Sequence, residues 1–182
     1  NYVPELFLGQ RDMLSSDKHP FYKHSSAQPF LAYKDGRLVG RILAIWNTNH
    51  NKFNHVSEGQ FGFFESVNDQ DVANSLLDTA AHWVKSKGGT CLVGPINLTT
   101  NDTCGLLVDG FDKPPMVMMP YNPPYYIELI ERAGYSKKVD LRAYLVKTET
   151  ANRRSVLLLD RLEERLSRSN IVLRQINLKD FA

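Results

Sequence analysis

The sequence predicts an α/β (α+β) domain built on a mixed, mostly antiparallel central sheet with helices on both faces. Three observations predict it. The turn Lys34-Asp35-Gly36-Arg37 sits between two apolar runs, a strong hairpin signal. An aromatic run, Gln60-Phe61-Gly62-Phe63-Phe64-Glu65, reads as a third strand. After it, stretches of helical periodicity alternate with short apolar runs. Strands that come first as a meander and then alternate with helices imply a mixed sheet with helices packed on it.

Taken in order, residues 1–29 carry Pro4, Pro20, Pro29 and the polar cluster Ser15-Ser16-Asp17-Lys18-His19, and read as loops with one short helix. Phe30–Tyr33 is a strand, and Leu38–Trp46 is its hairpin partner. The second run mixes alternation with continuous apolar stretches, as a strand covered on both faces does. A polar loop, Asn47–Ser57, leads to the aromatic strand, in which Gly62 marks a bulge or a close approach of another backbone or a ligand. Asn68 or Asp69 caps the next helix, Asp71 suits its positive end, and Val72, Ala73, Leu76, Leu77, Ala80, Ala81 and Val84 line one face before Gly88-Gly89 closes it.

Cys91-Leu92-Val93 is a short buried strand stopped by Gly94-Pro95. Successive turns fill 97–120, with Val117-Met118-Met119 as a short strand among them. Asn122-Pro123-Pro124 opens a second helix, capped by Asn122, with Tyr126, Leu129, Ile130 and Ala133 inside and Gly134 at its end. Leu141–Val146 reads as a strand. Val156, Leu159, Leu162 and Leu166 give Asn152–Ser169 the stripe of a surface helix, and Ile171–Ile176 looks like a strand that begins a new unit. The domain bounds are thus 1–148, a linker helix at 149–169, and an opening strand at 170–182.

Composition narrows the function. The 182 residues are 42% hydrophobic and 23% charged, which excludes collagen-like and wholly disordered chains. A net charge of +2 offers no basic field, so DNA is not an expected partner. No apolar run approaches the ~18–20 residues of a membrane helix, so a membrane is not expected either. Cys91 and Cys104 are too few for a disulfide framework and lack metal-site spacing, which makes the cytoplasm the default location. Residue 1 is Asn rather than Met, so an upstream segment, a signal sequence included, stays open.

The element order over about residues 28–147, with the segment Asn122-Pro123-Pro124-Tyr125-Tyr126 through Ala133-Gly134-Tyr135, resembles the GNAT superfamily of acyl-CoA-dependent N-acyltransferases. More narrowly, Gly59–Glu65, Gly94-Pro95-Ile96-Asn97, Asn101-Asp102 and Asn122–Tyr126 resemble uncharacterised bacterial proteins with GNAT-like, sometimes tandem, domains. The resemblance implies a pair of strands, 60–65 and 90–93, that splay apart to admit an acyl-CoA such as acetyl-CoA. It also implies a second GNAT-like half beyond residue 148, in the same chain or supplied by a homo-oligomer, with the first strand and helix lying upstream. Two departures stand out. The family's R-x-x-G-x-G/A loop, which holds the coenzyme A pyrophosphate on a helix N-terminus, is replaced by Glu65-Ser66-Val67-Asn68-Asp69-Gln70-Asp71, with no glycine, no arginine and three carboxylates. The family's acid tyrosine, four residues before the helix-ending glycine, is Ile130, which cannot protonate a thiolate.

Acyl transfer to an amine needs a base, donors for the oxyanion and an acid for the departing thiolate. Glu65 is the candidate base, or else a carboxylate satisfied at a helix start. Phe61, Gly62, Phe63 and Phe64 are candidate cofactor contacts, with backbone N–H groups around Gly62 and Phe63 as oxyanion donors, or else ordinary sheet. Tyr125 and Tyr126 are candidate acids, or packing residues with polar tips. Asn97 and Asn122 are candidate cofactor contacts, and Asn101 and Asp102 candidate substrate contacts, on loops that equally suit turns. Met116, Met118 and Met119 form an apolar wall, either core or a lipophilic acyl pocket. His19, His24, His50 and His55 lack the companions of a zinc site, so no metal is expected.

The expected function is an N-acyltransferase moving an acyl group from an acyl-CoA-type thioester to a small-molecule amine. The alternatives are a catalytically degenerate GNAT-like scaffold or ligand-binding module, which the acidic 65–71 turn favours, and an aminoacyl-tRNA-dependent transferase, which the near-neutral charge disfavours.

Overall fold

In the computed structural model of the chain, residues 6–145 are described continuously, with Lys147, Leu158, Arg161, Leu162, Arg165, Leu166, Arg168, Ser169, Gln175 and Asn177 beyond them. The chain divides into two compact units, Asn1–Val139 and Asp140–Ala182. The expected linker helix and opening strand at 149–182 lie mostly outside the described residues. Within the first unit, strands β1 (Ser26–Lys34), β2 (Arg37–Trp46), β3 (Glu58–Ser66) and β4 (Cys91–Val93) form one sheet in that order. β1, β2 and β3 are antiparallel, and β4 runs parallel to β3. The fold is therefore α+β with a mixed sheet, as the element order predicts. No helix among the described residues is long and apolar enough to cross a membrane.

Local chemistry explains each element. Asp35 and Gly36 both take positive φ, 51° and 74°, the geometry of a tight hairpin turn matched to strand twist. β1 starts at Ser26, four residues before the expected Phe30, and absorbs Pro29 because an edge strand tolerates a missing donor. Helix α1 (Phe7–Met13) is the short helix expected near the start. Helix α2 (Thr48–Asn54) corrects the loop expected at 47–57. Asn47 caps it through Oδ1, but its sequence is polar and its one aromatic, Phe53, is exposed, so no apolar stripe announces it. Helix α3 (Gln70–Ser86) is capped by Asp69 and buries the expected Val72, Ala73, Leu76, Leu77, Ala80 and Val84.

Helix α4 (Tyr125–Arg132) starts after Pro124 with no side-chain cap, because Asn122 is engaged elsewhere. Two expected strands are absent. Met116–Met119 is a turn closed by Met119 N–H on Met116 C=O at 3.1 Å, with Met118 at φ 64°. Leu141–Leu145 forms no strand among the described residues, Val146 lying outside them. Leu141, Tyr144 and Leu145 are exposed, and an apolar run without a ladder partner does not become a strand.

Both faces of the sheet are covered. Ile42, Ala44, Phe61 and Phe64 pack against α3 and against Tyr126 and Leu129 of α4. Leu43, Ile45 and Phe63 pack on the other face with Leu98, with Phe21 of the 3-10 turn Pro20–Lys23 and with Met13 of α1. Phe61 and Phe64 share a face although they are three residues apart. A bulge explains this. Arg41 pairs with Glu65 and Leu43 with Gly62, so Ile42 faces two β3 residues, and Phe63 takes up the extra one at φ 48°.

Candidate active site

The bulge sits where the sheet opens. β4 pairs with β3 only at Glu58–Gln60, and the chain leaves through a cis Gly94–Pro95 bond. Two hydrogen bonds finish the contact: Ile96 N–H to Phe61 C=O at 2.7 Å, and Phe63 N–H to Asn97 Oδ1 at 2.8 Å. A Cβ on Gly62 would lie 2.2 Å from the Ile96 carbonyl oxygen, so only glycine allows this crossing. Beyond it, Phe64–Ser66 continue without β4 beside them. A cleft of about 600 Å³ fills the wedge, between β3, the 95–106 loop, the 115–122 loop and α1.

Glu65 lines this cleft with its side chain about half exposed. Its Oε2 accepts a 2.6 Å hydrogen bond from the Tyr126 hydroxyl, which accepts in turn from Ser66 N–H at 3.0 Å. Tyr126 also lines the cleft but is nearly wholly buried. Burial, and then its bond to Glu65, push its hydroxyl far above the ordinary tyrosine value, so it keeps its proton and acts on the carboxylate as a fixed donor. Tyr126 stands one helical turn before Ile130, so a tyrosine does reach the site from this helix, from a different position.

Tyr125 stacks edge-on against Tyr126, with ring centroids 5.2 Å apart, and donates to the Ser66 carbonyl at 3.0 Å. It stands behind the pair and does not line the cleft. Burial, followed by the Glu65 charge, raises its hydroxyl as well.

The other candidates divide. Phe63, Phe64, Asn97, Asp102 and Asn122 line the cleft; Phe61, Gly62 and Asn101 do not. Phe61 is a core ring against Phe64 and Tyr135. The Phe63 N–H expected as an oxyanion donor is taken by Asn97. Asn122 holds the loop in front of it, its Oδ1 accepting from Leu107 N–H at 2.7 Å and its Nδ2 donating to the Leu107 and Pro123 carbonyls. Asp102 accepts from the N–H and hydroxyl of Thr99, and Asn101 N–H donates to that hydroxyl, an ordinary turn.

Met116–Met119 do wall the cleft, and Met116, Val117 and Met118 are at least 61% exposed, so they are not core. Sequence reasoning missed Arg41, directly opposite Glu65 on β2, with a guanidinium nitrogen 3.9 Å from Glu65 Oε1. The available signal was a lone arginine inside the apolar run Leu38–Ile45.

The start of α3, where the family loop would hold a pyrophosphate, is occupied. Asp69 Oδ1 accepts from Asp71 N–H at 3.0 Å and from Val72 N–H, and Asp69 Oδ2 pairs with Lys34 Nζ at 2.6 Å. The Lys34 bond, helped by those N–H groups, holds Asp69 below the usual carboxylate range. Among the described residues no three His, Cys, Asp or Glu side chains gather to hold a metal.

No family model matches the chain, and no solved structure matches it. Two curated proteins are similar along its whole length. It is 35% identical over 184 residues to Protein YghO of Escherichia coli, and 37% identical over 182 residues to the Bacterial ceramide synthase of Caulobacter vibrioides. The chain spans about half of each, 46% and 47% of their lengths.

Proposed function

We propose that the cleft transfers an acyl group from an acyl-CoA-type thioester to an amine, forming an amide. The observation that carries this reading is the Glu65 carboxylate, fixed by the Tyr126 hydroxyl at the opening between β3 and the departing β4 chain. The amine nitrogen attacks the thioester carbon while Glu65 accepts its proton. The carbonyl then re-forms, the C–S bond breaks, and the thiolate leaves with the electron pair and takes up a proton. Tyr126, held by burial and by Ser66, positions Glu65; its raised hydroxyl makes it a poor source of that last proton. Glu65, having taken the amine proton, returns it to the thiolate.

The apolar wall of Pro115 and Met116–Met119 favours a lipophilic substrate. Similarity to a ceramide synthase supports the same reading, since a ceramide is a fatty amide of a long-chain amino alcohol. Because the chain spans about half of its relatives, a second half acting with this one belongs to the proposal. One observation favours a second reading, a degenerate scaffold: Asp69 fills the helix end that would otherwise hold a pyrophosphate. On the acyl-transfer reading, the carrier of the thioester is therefore gripped elsewhere.

The test is incubation of the purified full-length protein, this half together with any second half it carries, with short- and long-chain acyl-CoAs and sphinganine, and N-acyl product read by mass spectrometry. Amide from the wild type, reduced about 10²- to 10⁴-fold in E65Q, is expected of a lost general base. Wild type that forms no amide from any donor, or E65Q that matches it, overturns the reading.

A further inference from the structure

We propose that Arg41 is the oxyanion donor of this site, an inference that rests on the acyl-transfer reading. When the amine attacks, the C–N bond forms and the carbonyl π pair moves onto oxygen, so donors must await a negative charge there. Two backbone sources are already engaged. The Phe63 N–H at the bulge donates to Asn97 Oδ1, and the Asp71 and Val72 N–H groups in the first turn of α3 donate to Asp69 Oδ1.

Arg41 is the one lysine or arginine among the described residues that line the cleft. Its side chain is 40% exposed, and its nitrogen, 3.9 Å from Glu65 Oε1, stands beyond hydrogen-bond distance, so its donors remain available to a ligand. A guanidinium carries five N–H donors and stays charged at any working pH.

Placement matches the chemistry. Amine nitrogen and carbonyl oxygen end up on the same tetrahedral carbon, so base and oxyanion donor must stand side by side. Arg41 and Glu65 are directly paired across β2 and β3, which sets neighbouring side chains on one face. Glu65 takes the amine proton and Arg41 holds the oxygen. When the carbonyl re-forms and the C–S bond breaks, the charge leaves with the thiolate.

The test compares wild type, R41Q, R41K and R41A in the amide-forming assay, with R41A repeated in sub-denaturing guanidinium chloride and all unfolding midpoints recorded. Wild-type turnover comes first: its absence takes down the acyl-transfer reading itself. Given turnover, R41Q should lose about 10²- to 10³-fold in kcat, with the donor KM and the unfolding midpoint little changed. R41K should fall between, and guanidinium should restore R41A. A kcat in R41Q within a few-fold of wild type, a loss confined to KM, or an R41A that guanidinium does not restore overturns the inference.

Discussion

The Tyr126 hydroxyl links two neighbouring residues of one strand, donating to Glu65 Oε2 at 2.6 Å and accepting from Ser66 N–H at 3.0 Å. Strand β3 and helix α4 are thus joined at the carboxylate that faces the cleft. Y126F removes both bonds and leaves the buried Ser66 amide without that acceptor. It should cost about 1–3 kcal/mol of stability, read by denaturant unfolding, and lower kcat by more than it alters KM. Full activity in Y126F would separate Glu65 from its proposed positioning residue.

Gly62 allows the chain after β4 to cross β3 at van der Waals limits, since a methyl there would meet the Ile96 carbonyl. G62A should destabilise by about 1–3 kcal/mol, the cost of overpacking a filled site. An unfolding free energy equal to wild type would mean that the crossing is looser than this geometry.

The exposed Met118 walls the cleft without supporting the core. M118E should leave the unfolding midpoint within error and raise KM for a long-chain donor about tenfold, the scale of a lost apolar contact, while a short-chain donor is unaffected. Equal effects on both donors would contradict a lipophilic role for the wall.

Asp69 carries a pH dependence whose sign follows from its depressed pKa. The folded state favours its ionised form, so its contribution is present above the ordinary carboxylate range and is lost as pH falls through the lowered folded value. D69A should lower the unfolding midpoint at neutral pH, since it removes the N-cap of α3. The gap between D69A and wild type should narrow on acidification. A gap independent of pH would show that the charge of Asp69, and with it the Lys34 pair, contributes nothing.

Much of this was legible in the residues. Asp35-Gly36 announced the hairpin, the stripe from Val72 to Val84 announced α3, and Gly62 announced the bulge, because each rests on local backbone chemistry or a strict period. Glu65 and Tyr126 were legible as candidates, but their bond was not, since it joins residues 61 positions apart. The helix α2 hid because nothing on it packs as a stripe. Met116–Met119 resembled a strand because β propensity measures fit to a neighbouring ladder, and here no ladder exists. Arg41 escaped notice because its meaning lies in the residue opposite, which register alone discloses.

The most direct test of acyl transfer at Glu65 is a crystal structure of the protein with a long-chain N-acyl product bound. The amide nitrogen should lie within about 2.6–3.2 Å of the Glu65 carboxylate, with the acyl chain along Met116–Met119. Product bound away from this cleft, or with its amide turned from Glu65, would contradict it.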